Sequence, residues 1–349
     1  MSNRRAFIKQ VSLSAGALSV ASLSGLAACT AEAADRKLGI ALVGLGRYAT
    51  GQLAPALLET RHCELRGIVT GSPDKAAKWK QQYNLSDKNI YNYDTFDQIK
   101  DNPDIDIVYV VLPNNMHAEY VIRAAEAGKD VICEKPMANT VADCERMIAA
   151  CKKAGVSLNI GYRLHYEPHH LAAIDIIHKK KELGKIKLFE GGFGFRLTDK
   201  KRWRLNKEMA GGGPLMDVGI YVLQAARYLV GEEPIAVRAF EVKTEPDIFD
   251  QVEETLYWTM EFPGGAFANC STSYAAGTHH LRVSGDKGWL YMTPCYGYAS
   301  PEGKTNQYTL DIEPVNQQAA HMDGIARHLL FGDKRNNISG EEGLRDMKV

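Results

Sequence analysis

One short segment constrains the fold of this chain more than any other. The apolar run Leu38–Val43 ends in Gly44-Leu45-Gly46-Arg47-Tyr48-Ala49, and a helical pattern follows from Gln52 to Glu59. A buried strand, a glycine-rich turn and a helix in this order form most of the fingerprint that holds a dinucleotide pyrophosphate at a helix N-terminus. Gly44 permits the tight turn, Gly46 leaves room for the pyrophosphate, and Ala49 is small enough for close packing. The sequence predicts a nucleotide-binding loop, with an ordinary βα turn as the alternative.

The end of the second predicted strand, Cys63–Thr70, indicates which nucleotide this loop prefers. NAD sites usually carry Asp or Glu there, because the carboxylate bonds the ribose 2′-hydroxyl. Here Gly71-Ser72-Pro73-Asp74-Lys75 follows the strand, so a hydroxyl and an ammonium stand nearby and no acid closes the strand. Ser72 and Lys75 would bind a 2′-phosphate that an acid would repel. The sequence therefore predicts NADP, and Arg47 either joins this pocket or is solvated.

The periodicity of the chain changes near residue 160. Strand and helix patterns alternate from Leu38 to Leu158, which predicts a doubly wound parallel sheet. Alternating segments without intervening helices follow from Ile235 to Thr293, which predicts an antiparallel sheet with one open face. The predicted fold is therefore α/β: a dinucleotide-binding Rossmann domain at 34–160 and an α+β domain at 161–349, whose large open-faced sheet is mostly antiparallel. The open face suggests a homodimer or homotetramer.

The first residues read as a targeting segment. Arg4-Arg5 is followed by an apolar residue and a lysine, and an apolar stretch of small residues runs from Val11 to Ala28. This is the layout of a twin-arginine secretion signal, and its Ser and Gly content makes it a poor membrane span. Residues 1–33 are therefore predicted to direct export to the periplasm. The cleavage site is either Ala31-Glu32-Ala33 or a lipobox that ends at Cys29, and the first is preferred.

Composition excludes several classes of protein. Lys and Arg number 42, as do Asp and Glu, and no basic block follows the signal, so nucleic-acid binding has no electrostatic support. The seven cysteines form no C-x-x-C pair and no Cys/His cluster, so no metal site is predicted. Five of them fall in apolar or helical contexts and are predicted to be core residues: Cys63, Cys133, Cys144, Cys151 and Cys270.

Two further stretches carry residues suited to chemistry. Cys133-Glu134-Lys135-Pro136 lies just past a predicted parallel strand, at the sheet edge where ligands of open α/β sheets bind. Asp217 and Tyr221 are four residues apart on one predicted helix, so both side chains share a face. A structural interpretation, in which Asp217 favours the helix dipole beside a packed Tyr221, is equally compatible with the spacing.

Several motifs together resemble the glucose–fructose oxidoreductase/inositol dehydrogenase (Gfo/Idh/MocA) family. They are GLGRYA, VVLPNNMHAEYVIRAAEAGKDVICEKPMA, IGYRLHYEP, WRLNKEMAGGGPLMDVGIY and GEEPIAVRA. The resemblance runs from about Leu38 to the last residue and passes through both predicted domains.

The resemblance implies roles for individual residues. Lys135 would lie beside the nicotinamide, before a cis bond to Pro136, and Asp217 with Tyr221 would form the catalytic pair. Residues implied to contact the cofactor are Gly44, Leu45, Gly46, Arg47, Tyr48, Ser72, Lys75, Tyr93, Leu112, Pro113, Asn114, His117, Glu134, Lys135, Arg163, Trp203 and Arg204. Residues implied to contact substrate are Lys135, Arg163, Tyr166, Asp217 and Tyr221.

The implied reaction is hydride transfer on monosaccharides or small oligosaccharides. An aldose would be oxidised at C1 to a lactone, and a second sugar would be reduced to an alditol in a ping-pong cycle with tightly bound NADP. Tyr221 would be the base, and the Lys135 ammonium would favour its phenolate. The alternatives are an aldose dehydrogenase with dissociable NADP, an NAD-dependent glycoside hydrolase of the same superfamily, and a non-catalytic NADP-binding protein.

Overall fold

The structure, a computed structural model, describes residues 36–333 and 338–349. The predicted export signal at 1–33, with its twin arginine, both cleavage candidates and Cys29, lies outside the described residues. The elements that follow belong to one compact unit, Leu38–Val349.

The N-terminal half is built on a sheet of six strands in the order β3-β2-β1-β4-β5-β6, with every neighbouring pair parallel. Every residue of β1 is buried, as a central strand covered on both faces requires. This strand order is that of a Rossmann sheet, so the predicted fold of this half is confirmed. The strands are β1 Leu38–Val43, β2 Cys63–Val69, β3 Ile90–Tyr91, β4 Ile107–Val110, β5 Asp130–Cys133 and β6 Leu158–Ile160.

Helices connect these strands, and two of them begin at a residue whose side chain caps the helix. The Ser72 hydroxyl accepts from the backbone N–H of Lys75 at the start of one helix, and Thr140 accepts from Asp143 at the start of another. The helices are α1 Ala54–Leu57 after a π-helical turn Ala49–Leu53, α2 Pro73–Tyr83, α3 His117–Glu126 and α4 Val141–Ala154. Short 3₁₀ turns lie at Asp87–Asn89, Phe96–Asp101 and Asn114–Met116.

The second sheet has eight strands in the order β14-β13-β12-β11-β7-β10-β9-β8. The prediction of a mostly antiparallel sheet is confirmed, since β7 with β10 is the one parallel pair among the described strands of this second sheet. The strands are β7 Ile186–Gly194, β8 Ala236–Val242, β9 Thr255–Glu261, β10 Phe267–Ser273, β11 Thr278–Gly285, β12 Trp289–Met292, β13 Gly303–Thr305 and β14 Thr309–Leu310.

One face of this sheet packs on helices, and the edge strand β8 lies largely open to solvent. Phe240 of β8 is 63% exposed and stacks on Tyr257 of β9, which is 44% exposed. Three helices belong to this half: α5 Pro168–Ile174 with a π-helical turn Asp175–Lys179, α6 Lys207–Ala210, and α7 Ile220–Val230 after a π-helical turn Leu215–Gly219. Further 3₁₀ turns lie at Arg163–Tyr166 and Trp203–Leu205.

Two helices near the end of the chain return to the first sheet. They are α8 Gln317–Phe331 and α9 Gly340–Lys348. Met322 and Ile325 of α8 are buried in the same apolar cluster as Leu42 and Leu53 of the N-terminal half. The segment 161–349, assigned from sequence to the second domain, therefore also supplies part of the core of the first.

Three further observations concern the cysteines, membrane-spanning helices and metal-ligating side chains. The six cysteines of the described ranges are buried: Cys63, Cys133, Cys144, Cys151, Cys270 and Cys295. Within 36–333 and 338–349, no helix combines the length and the apolar character that a bilayer crossing needs. The same residues contain no cluster of metal-ligating side chains.

Candidate active site

The glycine-rich loop after β1 has the geometry that a dinucleotide needs. Gly44 adopts φ +95°, and a side chain there would lie 2.6 Å from the carbonyl oxygen of Val111. A Cβ on Gly46 would meet nothing within 4 Å, so the space in front of this residue is open. The turn that follows has no side-chain cap, so its first N–H groups can receive an anion. These features fit a bound pyrophosphate.

The residues predicted to hold the 2′-phosphate lie beside this loop. The Lys75 ammonium donates to the backbone oxygen of Leu45 at 3.2 Å, and the Ser72 hydroxyl caps the helix that carries Lys75. Because α2 begins here, its N-terminal dipole adds to the attraction for an anion. The position suits a phosphate on the adenosine ribose.

Tyr93 and Arg47 take up different surroundings on the adenosine side. The Tyr93 ring covers Gly71, since a Cβ there would lie 3.1 Å from the ring. The Arg47 side chain is 80% exposed and pairs with Asp199 at 3.5 Å. Two positions were predicted for Arg47, in the phosphate pocket or in solvent. Its exposure agrees better with the position in solvent.

The loops after β4 and β5 are tied together by a buried histidine. The His117 ring nitrogens lie 3.0 Å from the carbonyl oxygen of Pro136 and 2.9 Å from that of Leu112. Burial lowers the pKa of His117, although both carbonyls favour its charged form. His117 thus holds in place the loop that carries Lys135, and its direct contact with a cofactor stays a prediction.

Lys135 and Tyr221 come from the two halves of the chain and lie together in the cleft beside the glycine-rich loop. The Lys135 Nζ lies 4.7 Å from the centroid of the Tyr221 ring and donates to the backbone oxygen of Asp217. It also lies 3.7 Å from Oδ1 of Asp217. The peptide bond from Lys135 to Pro136 is cis. The three residues predicted to be catalytic are therefore neighbours in space.

The π-helical turn Leu215–Gly219 explains how Asp217 and Tyr221 share this site. Such a turn holds more residues than an α-helical one and is frequent at functional sites. Gly219 closes the turn against β10, where a Cβ would lie 2.9 Å from Thr272. The four-residue spacing predicted that Asp217 and Tyr221 share one helix face. The wide turn sets the direction in which that face points.

Asp217 is held by groups that favour its charge. The Arg204 Nε lies 3.0 Å from Oδ2, and the Tyr274 hydroxyl donates to the same oxygen at 3.0 Å. Burial opposes ionisation, yet Arg204, Lys135 and the hydrogen bond from Tyr274 together lower the pKa of Asp217. Asp217 is therefore ionised at neutral pH. Its Oδ1 faces Lys135 at 3.7 Å.

Tyr221 is neutral in this environment. Burial raises the pKa of Tyr221, while the positive charge of Arg163 is the largest influence in the opposite direction. Burial also lowers the pKa of Lys135, against the charge of Asp217. The sequence analysis named Lys135 as the cation that favours the Tyr221 phenolate. In the structure, Arg163 is the group that most lowers the pKa of Tyr221.

Arg163 connects three distant segments. Its guanidinium donates to the backbone oxygens of Tyr296 and Gly297 and to the side-chain oxygen of Gln317. Its Cζ lies 5.1 Å from the centroid of the Tyr221 ring. The side chain is 2% exposed, so the positive charge beneath the cleft is fixed by backbone and amide oxygens.

The remaining predicted residues border the cleft or lie behind it. The Asn114 amide donates to the backbone oxygen of Ala210 at 2.8 Å, and Arg204 lies 4.5 Å over the Trp203 ring. Glu134 accepts from the Tyr109 hydroxyl at 2.7 Å, and burial raises the pKa of Glu134.

Tyr166 lies apart from the catalytic contacts. Its ring packs on α8, where a Cβ on Gly324 would lie 2.0 Å from it, and its hydroxyl is buried without a hydrogen-bond partner among the described residues. The structure does not bring Tyr166 to Lys135 or Tyr221, and its contact with substrate stays a prediction.

Two tyrosines of the site were not singled out from the sequence. Tyr274 follows β10, and Tyr298 lies in the segment between β12 and β13. Neither lies in a motif that carried the family resemblance. Only their positions in the folded chain connect them to Asp217 and Arg163.

Two family models match successive parts of this chain. A family model described as "Oxidoreductase family, NAD-binding Rossmann fold" matches residues 38–162, and one described as "GFO/IDH/MocA C-terminal domain" matches 171–291. The D-xylose 1-dehydrogenase (NADP(+)) of Haloarcula marismortui is 31% identical over 329 residues, 91% of this chain and 90% of that protein. This chain belongs to the Gfo/Idh/MocA family.

Other Gfo/Idh/MocA relatives cover nearly the whole chain. The crystal structure of aldose-aldose oxidoreductase from Caulobacter crescentus, complexed with glycerol, is 44% identical with a TM-score of 0.87, covering 90% of this chain and 95% of that one. A second D-xylose 1-dehydrogenase (NADP(+)), from Haloferax volcanii, is 28% identical, with 88% of this chain and 94% of that protein covered. The family resemblance drawn from the motifs is therefore confirmed, and the chain is similar to enzymes that oxidise aldoses.

Proposed function

We propose that this chain is an NADP-dependent sugar oxidoreductase that oxidises an aldose at C1 to its lactone and reduces a second sugar to an alditol. The supporting observation is the group formed by Lys135, Asp217 and Tyr221, next to a glycine loop with open space before Gly46. A phenol, an ammonium and a carboxylate at one cleft suit proton transfer on a sugar hydroxyl.

Tyr221 is the proposed acid–base residue. In the oxidative half-reaction the phenolate form of Tyr221 takes the proton of the C1 hydroxyl and becomes the neutral phenol, while the C1–H bond breaks and its electron pair leaves with the hydrogen. In the reductive half-reaction Tyr221 returns a proton to the carbonyl oxygen of the second sugar. When bound, the nicotinamide cofactor supplies the acceptor of that hydride and then its donor.

Lys135 and Asp217 position the reacting hydroxyl. The Lys135 ammonium, 4.7 Å from the Tyr221 ring, stabilises the negative charge that develops there. Asp217 is anchored through Oδ2 by Arg204 and Tyr274, which leaves Oδ1 to accept a hydrogen bond from a sugar hydroxyl. Positioning of this kind lowers the barrier before any bond changes.

NADP is the proposed cofactor because of charge at the adenosine end. Lys75 and Ser72 supply a cation and a hydroxyl at the start of α2, and no carboxylate ends β2. Two relatives carry NADP(+) in their names, which supports the same choice. The description of the family names NAD binding in general, so the proposal of NADP rests on Lys75, Ser72 and the absence of a carboxylate at the end of β2.

A simple NADP-dependent aldose 1-dehydrogenase is the second candidate. The two D-xylose 1-dehydrogenases among the relatives favour it. In that case the nucleotide dissociates after each turnover, and one sugar alone is consumed. The chemistry at Tyr221 is the same in both candidates, so the difference lies in retention of the cofactor.

An experiment without added nucleotide separates the two. The purified protein is mixed with D-glucose or D-xylose as donor and a second sugar as acceptor, and products are measured by chromatography. Equal amounts of lactone and alditol support the oxidoreductase. Activity that appears only when NADP is added supports the dehydrogenase, and turnover of neither kind contradicts both.

Location and assembly complete the proposal. The twin-arginine pattern at 1–33 supports export to the periplasm, where a retained nucleotide would be an advantage, because soluble NADP is lost outside the cytoplasm. The open face near Phe240 and Tyr257 supports association of two or four copies.

A further inference from the structure

Tyr298 lies in the cleft with much of its ring uncovered. It belongs to the segment that joins β12 to β13, and its side chain is 55% exposed. The ring therefore lies open beside charged groups, where a ligand can contact it.

The neighbours of Tyr298 place it beside the catalytic tyrosine. The Arg163 Cζ lies 4.7 Å from the centroid of the Tyr298 ring and 5.1 Å from that of Tyr221, so both rings contact one guanidinium. The Tyr48 ring stacks on Tyr298 at 6.1 Å with an interplanar angle of 23°. Tyr298 therefore stands between the glycine loop and the catalytic pair.

The contacts of Arg163 also fix this position. The same guanidinium donates to the backbone of Tyr296 and Gly297, immediately before Tyr298. The ring is thus held by its own backbone as well as by its neighbours, which makes it a preformed surface.

A pyranose is suited to such a surface. One of its faces carries C–H groups and its rim carries hydroxyls, while tyrosine offers an apolar ring and a polar tip. Ligand pockets commonly combine aromatic side chains with a few polar groups that fix orientation. An exposed aromatic ring beside Tyr221 and Arg163 has both features.

We propose that Tyr298 is the sugar-stacking residue of this site, and that the aldose ring packs on it while C1 faces Tyr221. The inference rests on the proposed function and adds a determinant of substrate affinity to it. Tyr298 contributes to binding of the sugar ring and takes no part in proton transfer.

The test compares three variants with the wild-type enzyme. Tyr298→Leu removes the aromatic surface, and Tyr298→Phe keeps the ring without its hydroxyl. Tyr308→Leu is the matched control, since Tyr308 is 40% exposed in the turn between β13 and β14 and its hydroxyl donates to Glu182. We measure KM and kcat for D-glucose and D-xylose, and the rate at which bound nucleotide is released.

The expected pattern is a change in KM. Tyr298→Leu raises the KM for both aldoses about tenfold while kcat stays within about threefold, because stacking acts on the bound sugar in ground and transition state alike. Tyr298→Phe stays within about threefold of wild type in KM, and the Tyr308→Leu enzyme matches wild type. Nucleotide release is unchanged in all three.

Other outcomes overturn the inference. A normal KM in Tyr298→Leu does so, as does a KM increase of equal size in Tyr308→Leu. Faster nucleotide release in Tyr298→Leu assigns the ring to the cofactor instead. A wild-type enzyme that neither turns over nor binds these aldoses refutes the proposed function and this inference together, whereas an active wild type with a normal Tyr298→Leu variant refutes this inference alone.

Discussion

The hydroxyl of Tyr221 occupies surroundings that oppose its ionisation. Burial raises the pKa of Tyr221, and the charge of Arg163 offsets this only in part. The phenolate fraction therefore grows as pH rises, and oxidation of an aldose accelerates with it. The same raised pKa keeps Tyr221 protonated at neutral pH, as the proposed reductive half-reaction requires.

Replacement of Tyr221 tests this directly. Tyr221→Phe lowers kcat for aldose oxidation by about 100-fold or more, because the proton acceptor is lost, and nucleotide binding is unchanged. Wild-type oxidation rises with pH between 6 and 9, and the variant loses that rise. Steady-state rates over this pH range measure both effects.

Tyr166→Phe is the control for this experiment. The Tyr166 hydroxyl has no hydrogen-bond partner in the described part of the chain, so its removal leaves activity within about twofold of wild type. A large loss in this variant would instead support the substrate contact predicted for Tyr166. Unchanged turnover in Tyr221→Phe would refute the proposed mechanism.

Lys75 tests the choice of nucleotide. Lys75→Ala weakens NADP binding by roughly 10- to 100-fold, since a charge-assisted hydrogen bond to phosphate is worth about 1.5–3 kcal/mol. NAD binding changes much less, because NAD has no 2′-phosphate. Calorimetric titration of both nucleotides gives the comparison, and an equal loss for the two would contradict the NADP assignment.

Part of the site could be read from the sequence, and part depended on the fold. Lys135 follows a parallel strand, and Asp217 with Tyr221 shares a helix face, so local rules and the motifs indicated these three. The position of Arg163 beside Tyr221 depends on hydrogen bonds to Gln317 and to residues near 297, more than 130 positions away along the chain. No local pattern encodes such a contact.

At the scale of elements, the strongly periodic segments were predicted well. β1 has the bounds of the apolar run Leu38–Val43, and β2 ends one residue before the predicted end of its strand at Thr70. Helix α8 was not predicted, because its buried face includes Gln317, Gln318, His321 and Gly324, which breaks the apolar pattern. Burial of these residues depends on partners in the other half of the chain.

Helices α7 and α9 are joined by a buried ion pair. Arg227 of α7 is 2% exposed and contacts Asp346 of α9, Glu233 at 2.7 Å and Glu342 at 3.0 Å. Gln224 also donates to Asp346 at 3.0 Å. The helix that carries Tyr221 is therefore fixed at its far end by charge.

Removal of Arg227 from its ion pair with Asp346 should destabilise the fold. Arg227→Met lowers the free energy of unfolding by about 3 kcal/mol at pH 8, because the Asp346 carboxylate is left buried without its cation. The double variant Arg227→Met with Asp346→Leu recovers most of the loss. Denaturant unfolding measures both effects.

An exposed pair serves as the control. Arg146, 64% exposed and 2.8 Å from Asp143, should tolerate Arg146→Met at a cost below about 1 kcal/mol. An equal cost at Arg146 and Arg227 would show that burial of the Arg227 pair is unimportant.

At the scale of the whole molecule, buried histidines make the free energy of unfolding depend on pH. Burial lowers the pKa of His165 to about 3 and that of His321 to about 4. The unfolded chain binds protons at these residues below about pH 6.5 and the folded chain does not, so each removes roughly 1.4 kcal/mol of stability per pH unit as pH falls. The loss from each continues until its folded pKa is reached.

The test compares how steeply the free energy of unfolding falls with pH in wild type and in His165→Gln. Burial raises the pKa of Asp346 to about 7, which acts in the opposite direction, so the wild-type curve alone is not diagnostic. His165→Gln should therefore lose less stability than wild type between pH 6.5 and 5, as measured by urea unfolding. Identical slopes would contradict a neutral buried His165.

The open sheet face bears on assembly. Phe240→Asp places a charge on the exposed Phe240–Tyr257 pair and should convert an associated state to monomers without loss of folding. Light scattering measures the mass, and circular dichroism checks the fold. An unchanged mass would place the subunit contact elsewhere.

The return of α8 to the first sheet has a consequence for anyone who divides the gene. A fragment ended at residue 162 would contain every strand of the nucleotide-binding sheet but would lack Met322 and Ile325, which cover Leu42 and Leu53. Such a fragment would expose apolar surface and aggregate. Nucleotide binding can therefore be engineered in this enzyme only with its distal helix attached.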